Sequence, residues 1–167
     1  MPFISIQEFL DDWKYESEMT MKIFAELSDE SLQQKVTPNG RSLGKLAWHI
    51  TYSITEMMGT AGIIFESPLQ ENAVPGQASQ ILASYKAAGK NFVEELTKKW
   101  TDKELKDEVL MYGENWAKSK VLIALIGHQT HHRGQMTVLM RQAGLKVPGA
   151  YGPSFEEWGN YGAEPQE

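Results

Sequence analysis

We expect an all-α four-helix bundle from this sequence for three reasons. Four long segments repeat apolar residues at helical spacing, the stretches between them carry capping and turn-forming residues, and 167 residues are enough for one domain with a real core. A chain of this length removes about 70% of its unfolded surface from water on folding. Its 41% hydrophobic and 23% charged residues suit an ordered soluble protein rather than a disordered one.

The first segment opens with Ser5-Ile6-Gln7-Glu8, a capping box in which Ser5 accepts from the Glu8 amide and Glu8 reaches back. Ile6, Leu10, Trp13, Ser17, Thr20, Phe24 and Leu27 then alternate spacings of four and three, which lines them along one helix face. Ser28-Asp29-Glu30 ends or restarts this helix. Thr37-Pro38-Asn39-Gly40 is a turn, because Pro fixes φ and Asn-Gly accepts positive φ. Ser42 caps the second helix, which bears Leu46, His49, Ile50, Ile54 and Met57.

Ser67-Pro68 to Gly76 reads as a loop, and Ser79 is the expected cap of a third helix bearing Leu82, Tyr85, Gly89, Phe92, Leu96 and Trp100. A short helical turn is expected at Thr101-Asp102-Lys103-Glu104, followed by an irregular crossover from Val109 to Trp116. The fourth helix runs from a cap at Ser119 to Gly144, with Pro148 beyond to prevent resumption. Its 24 or so residues span about 36 Å. The bundle is expected to occupy residues 1–148. Residues 149–167 form a Gly/Pro-rich tail expected to lie over it by its aromatics, with disorder from Tyr161 onward.

Net charge is −6, and the densest basic spots are only Lys98-Lys99 and Lys118/Lys120. A phosphate-binding surface needs clustered Lys and Arg, so no nucleic-acid partner is expected. No run approaches the roughly 20 apolar residues of a membrane span. Met1-Pro2-Phe3-Ile4-Ser5 lacks a basic stretch ahead of its apolar residues, and with no cysteine in the chain a cytoplasmic protein is the expectation.

Three of the four histidines lie within Gly127-His128-Gln129-Thr130-His131-His132-Arg133-Gly134-Gln135, and the fourth is His49. The inward stripe of the fourth helix reads Val121, Leu125, His128, His132, Gln135, Leu139, Gln142, so His128 and His132 stack one turn apart on the bundle-facing side. His49 on the second helix completes a set of three imidazoles. Burying such groups without partners costs about 1–3 kcal/mol each, and a divalent metal ion removes that conflict while leaving positions open for a ligand.

His131 drifts off this face and is assigned to hydrogen bonding or solvent. Ser53 and Glu56 are the nearby groups on the second helix that could orient a ligating ring. Gln135 either hydrogen-bonds a ligand ring or marks where the interior opens to water. Arg133 orients an anionic substrate or pairs with a surface carboxylate, the usual fate of a single arginine. Gly134 suggests close approach by a neighbouring helix or a dimer partner. Trp13, Trp48, Trp100, Met57 and Met136 read as core and interface filling.

The zincin His-Glu-x-x-His is absent, because Gln129 stands where its general base would be. The Glu-x-x-His repeats of di-iron bundles are also missing. No nucleophile elbow, Walker loop or dinucleotide fingerprint is present.

Trp48-His49 after a Ser-capped helix start, the His128-x-x-x-His132 pair within His-x-x-His-His-Arg-Gly-Gln, and Leu-Met-Arg-Gln-Ala-Gly before a proline together resemble the DinB/YfiT family, over residues 1 to about 148. The resemblance implies an up-down-down-up bundle with a long crossover, commonly a homodimer. It also implies a divalent ion such as nickel or zinc (Ni2+ or Zn2+) held by His49, His128 and His132. Some members of that family act as metal-dependent transferases on low-molecular-weight thiols such as bacillithiol, mycothiol or glutathione. The leading expectation is therefore a transferase that brings a small-molecule thiol to an electrophile. The alternatives are a non-catalytic binding or stress-response module stapled by its ion, and a metal-dependent hydrolase, for which no carboxylate base stands next to a ligand in the sequence.

Overall fold

The computed structural model describes residues 3–165. Its helices are α1 (Ile6–Ala25), α2 (Leu43–Thr60), α3 (Ala78–Lys99) and α4 (Lys118–Gln142), and an antiparallel hairpin of β1 (Glu108–Met111) and β2 (Glu114–Ala117) precedes α4. Each of α1 and α2 packs on both α3 and α4, which makes α1 diagonal to α2 and α3 diagonal to α4.

Individual contacts fix the helix directions. Phe9 meets Phe92 while Phe24 meets Tyr85, so α1 and α3 are antiparallel. The Ile6 amide donates to Asp102, in the 3₁₀ turn Asp102–Lys106. Lys118, the first residue of α4, pairs with Glu104 in the same turn, so α1 and α4 start at one end. Gln129 bonds both Ile50 and Ser53 while Leu139 shares a cavity with Leu46, so α2 runs against α4. The order is up-down-down-up, so the connection that travels the length of the bundle is residues 61–77 between the parallel α2 and α3, whereas the hairpin, in the segment expected to be the crossover, joins α3 to α4 at one end.

The caps expected at Ser5 and Ser42 are present, their hydroxyls accepting from Glu8 N–H at 3.1 Å and Lys45 N–H at 3.2 Å. Two other caps are not where local reading puts them. The third helix starts at Ala78, whose amide is satisfied by Asp29 from the far end of α1 at 2.8 Å, and Ser79 is exposed. The fourth starts at Lys118 with Ala117 as its cap, and Ser119 is buried in the first turn. A long-range carboxylate and a strand feeding directly into a helix each replace the local hydroxyl. Gly144 ends α4 with φ +71°, as a left-handed glycine after a helix should.

The segment expected to be irregular is the hairpin. Tyr112 (φ 52°) and Gly113 (φ 89°) make a two-residue turn with positive φ at both central positions, the geometry that matches strand twist. Met111 is buried beneath it, and Tyr112 donates to Glu56 of α2 at 2.9 Å.

The core runs the length of the bundle, from Phe9, Trp13 and Phe92 in edge-to-face and stacked contact at one end to Leu32, Leu43 and Met140. Trp48, Trp100, Met57 and Met136 belong to it. The buried face of α1 is turned slightly from the expected stripe: Phe9, Glu16 and Ile23 are buried, while Leu10 and Ser17 are half-buried.

The tail returns over α1 and α4. Tyr151 reaches Glu16, Tyr15 donates to the Ala150 carbonyl, and Glu156 pairs with Arg141. Trp158–Tyr161 forms a 3₁₀ turn where disorder was expected to begin, and Gln166 and Glu167 lie outside the described residues. Among the described residues no helix is long and apolar enough to cross a membrane.

Candidate metal centre

The pitch of α4 stacks His128 below His132, with ring centroids 4.5 Å apart, and α2 presents His49 between them at 4.9 and 4.7 Å. One potential ligand atom from each ring lies within 4.8 Å of the others, so the three could hold a metal ion. Nitrogens bound about 2.0–2.1 Å from one ion lie about 3 Å apart in adjacent octahedral positions and about 3.4 Å apart in tetrahedral ones, and His49 Nε2 is 3.1 Å from His128 Nε2. The donor set therefore fits a first-row divalent cation. The other ring nitrogen of His128, the buried Nδ1, has no hydrogen-bond partner among the described residues, so unlike His132 this ring is not oriented by an acceptor on its far nitrogen.

Neighbouring side chains hold these rings in place. His132 Nδ1 donates to Gln135 Oε1 at 2.7 Å, which leaves Nε2 with its lone pair for a cation. The amide of the same Gln135 lies 3.2 Å from Nε2 of His131, which is exposed and outside the trio. Beneath the rings, buried Gln129 donates to the Ile50 carbonyl at 2.9 Å and accepts from Tyr85 at 3.0 Å, tying α2, α3 and α4 together beside His49 and His128. In the sequence Gln129 stands out only as the residue that replaces the general base of a zincin. Its signal was a polar residue one position from a histidine and four positions from two apolar or polar core sites, too generic to assign.

Glu56 and Ser53 do not orient the rings. The Glu56 carboxylate accepts from Tyr112, and the Ser53 hydroxyl is used by Ile50 and Gln129. A Cβ on Gly134 would meet nothing within 4 Å, so no neighbouring helix of this chain approaches it.

The electrostatics favour unprotonated imidazole. Burial is the main cause and lowers all three pKa values, with His128 brought down to about 4. The other histidines and the Arg41 guanidinium push further in the same direction. Neutral rings are the form a cation requires.

Arg133 is neither at the mouth nor on the surface. It is 2% exposed, and it donates to the Glu16 carboxylate at 2.6 Å, to the Glu16 carbonyl, to Thr20 and to Tyr151. Tyr151 in turn donates to the second oxygen of Glu16. Two cavities open onto the histidine cluster. One of about 110 Å³ is lined by Arg41, Lys45, His49 and Glu71, and one of about 370 Å³ by Arg41, His132, Gln135 and apolar side chains.

The model of the DinB family matches residues 3–167 of this chain. The protein YrdA of Bacillus subtilis (strain 168) is 42% identical over 162 residues, covering 97% of each chain. A DinB-like protein from Bacillus cereus ATCC 10987, known from its crystal structure, is 44% identical with a TM-score of 0.86, covering 89% of this chain and 99% of that one. YfiT of Bacillus subtilis is described as a probable metal-dependent hydrolase with an unusual four-helix bundle topology. It is 16% identical with a TM-score of 0.64, covers 83% of this chain and 87% of its own, and so is similar in fold. By its sequence over nearly its whole length, the chain belongs to the DinB family.

Proposed function

We propose that this protein is a metal-dependent transferase in which His49, His128 and His132 hold a divalent ion, Ni2+ or Zn2+, and a low-molecular-weight thiol is delivered to an electrophile beside it. The observation that carries the reading is a convergent trio of neutral imidazoles whose third member, His132, forms the wall of a cavity of about 370 Å³ with apolar sides. A divalent ion supplies one thing there: it lowers the pKa of a thiol that binds it, so that thiolate is available at neutral pH.

The chain's own residues do the rest. Gln135 holds the His132 ring in orientation, and Gln129 keeps α4 in register with α2 so that His128 faces His49. Buried Leu46 and Leu139, together with the exposed Val36, give an apolar electrophile a surface to lie on. The thiol proton leaves toward Glu71, the carboxylate that shares the smaller cavity with His49. The sulfur lone pair then forms the new bond while the electrophile's leaving group departs with its electron pair.

Thiol consumption with a panel of electrophiles, for metal-loaded and chelated protein, tests this. Metal-dependent turnover with at least one thiol is expected, and its absence across bacillithiol, mycothiol and glutathione would remove the proposal. Glu71 also favours a second reading, hydrolysis, because a carboxylate beside His49 is where a base for water would sit. Metal-dependent ester or amide cleavage that is lost in Glu71→Gln, with no thiol consumption, would select it.

A further inference from the structure

Arg41 immediately precedes the Ser42 cap of α2, and it is exposed. The chain has three arginines. Arg133 is paired with Glu16 and Arg141 with Glu156, but Arg41 has no ion pair among the described residues. The loop that carries it is held by backbone hydrogen bonds from Leu43 to Gln34 at 2.8 Å and from Gly40 to Thr37 at 2.9 Å. Its position therefore does not depend on a side-chain partner.

Arg41 lines both cavities that open onto the histidines. In the smaller one its charge is offset by Glu71, beside Lys45 and His49. In the larger one no carboxylate is present. There Val36, Leu46 and Leu139 form an apolar wall, His132 and Gln135 form the metal-side wall, and Arg41 is the one formal charge. Its volume of about 370 Å³ lies in the range of small-molecule sites, roughly 300–1,000 Å³. An unpaired guanidinium in this position reverses, locally, the repulsion that a chain of net charge −6 presents to an anion.

We propose that this cavity selects small amphipathic carboxylates: Arg41 binds the carboxylate, Val36, Leu46 and Leu139 cover the apolar body, and the ligand's other end faces His49, His128 and His132. The proposal rests on the reading that the three histidines hold a metal ion. Arg41 is a specificity residue in it, and the guanidinium takes the substrate-anchoring role for which Arg133, committed to Glu16, is unavailable.

The test uses Co2+-loaded full-length protein and two probes, 5-mercaptopentanoate and its uncharged amide, whose chain is too long to chelate the ion through both ends. Binding is read from the sulfur-to-cobalt charge-transfer absorption, and Co2+ content from equilibrium dialysis. The acid is expected to bind about tenfold more tightly than the amide at low salt, with the preference shrinking as ionic strength rises. Arg41→Met should make the two affinities equal in protein that still binds Co2+, and Arg41→Lys should keep part of the preference. Equal affinities in the unaltered protein, or a preference that survives Arg41→Met, would overturn the proposal with the metal reading intact. Failure of the unaltered protein to bind Co2+ would overturn the metal reading and this proposal with it.

Discussion

The side-chain amide of Gln129 donates to the backbone carbonyl of Ile50 across 2.9 Å, so the residue next to His128 grips the residue next to His49. This bond sets the register between two helices whose facing positions are 79 residues apart in sequence. Gln129→Leu would keep the volume but break the register lock and leave the buried Tyr85 hydroxyl without its partner. A loss of about 1–3 kcal/mol in denaturant unfolding is expected, together with weaker metal binding in the variant that still folds. Unchanged metal affinity would show that packing alone aligns the rings.

His49→Ala, His128→Ala and His132→Ala should each abolish stable binding of Ni2+ or Zn2+, measured by calorimetric titration. His131→Ala should not, because its ring is exposed and outside the trio. Equal loss from His131→Ala and His132→Ala would mean that the helical phase of α4 is not what brings the ligands together.

Gln135→Leu removes the acceptor at His132 Nδ1 without touching a ligand. Loss of such an outer partner typically lowers metal affinity about 10–100-fold. Competition with a chromogenic chelator measures this directly, and Gln135→Glu, which keeps an acceptor oxygen, should recover much of it.

Removing one member of the buried Arg133–Glu16 pair should cost more than removing both. Arg133→Met strands a carboxylate that is 8% exposed, for an expected loss of about 3–5 kcal/mol. The double variant Glu16→Leu/Arg133→Met should recover most of that loss in urea unfolding. Tyr151→Phe, which removes the tail's hydrogen bonds to both, should cost about 1 kcal/mol.

The three imidazoles have pKa values below 6.5 in the folded, metal-free protein, so the unfolded chain binds more protons than the folded one once the pH falls below that value. Stability of the metal-free protein should therefore fall as pH drops from about 6.5 toward about 4, where His128 itself titrates. In thermal unfolding across this window, His128→Gln should flatten the decline. Metal loading should raise the melting temperature near neutrality and lose that effect as protons displace the ion.

Much of this architecture follows from local rules. The apolar spacing along α1 to α4, the hydroxyl caps at Ser5 and Ser42 and the glycine after α4 each depend on residues within one or two turns. The same locality put His128 and His132 on one face, and the upstream His49 on a second inward stripe made a converging trio a reasonable expectation. The hairpin was missed because two four-residue strands joined by Tyr112-Gly113 carry too little periodicity to separate from a loop.

By itself the chain determined that four amphipathic helices form and which of their faces carry imidazole, since backbone pitch and capping act over a few residues. Tertiary structure alone decided that Asp29 caps α3, that Arg133 is spent on Glu16, 117 positions away, and that Arg41 shares a cavity with His132 without an ion pair among the described residues. Each is a choice of partner for a charged group. Coulombic and hydrogen-bonding partners are set by proximity in space, which the packing of all four helices creates together and no stretch of sequence encodes alone.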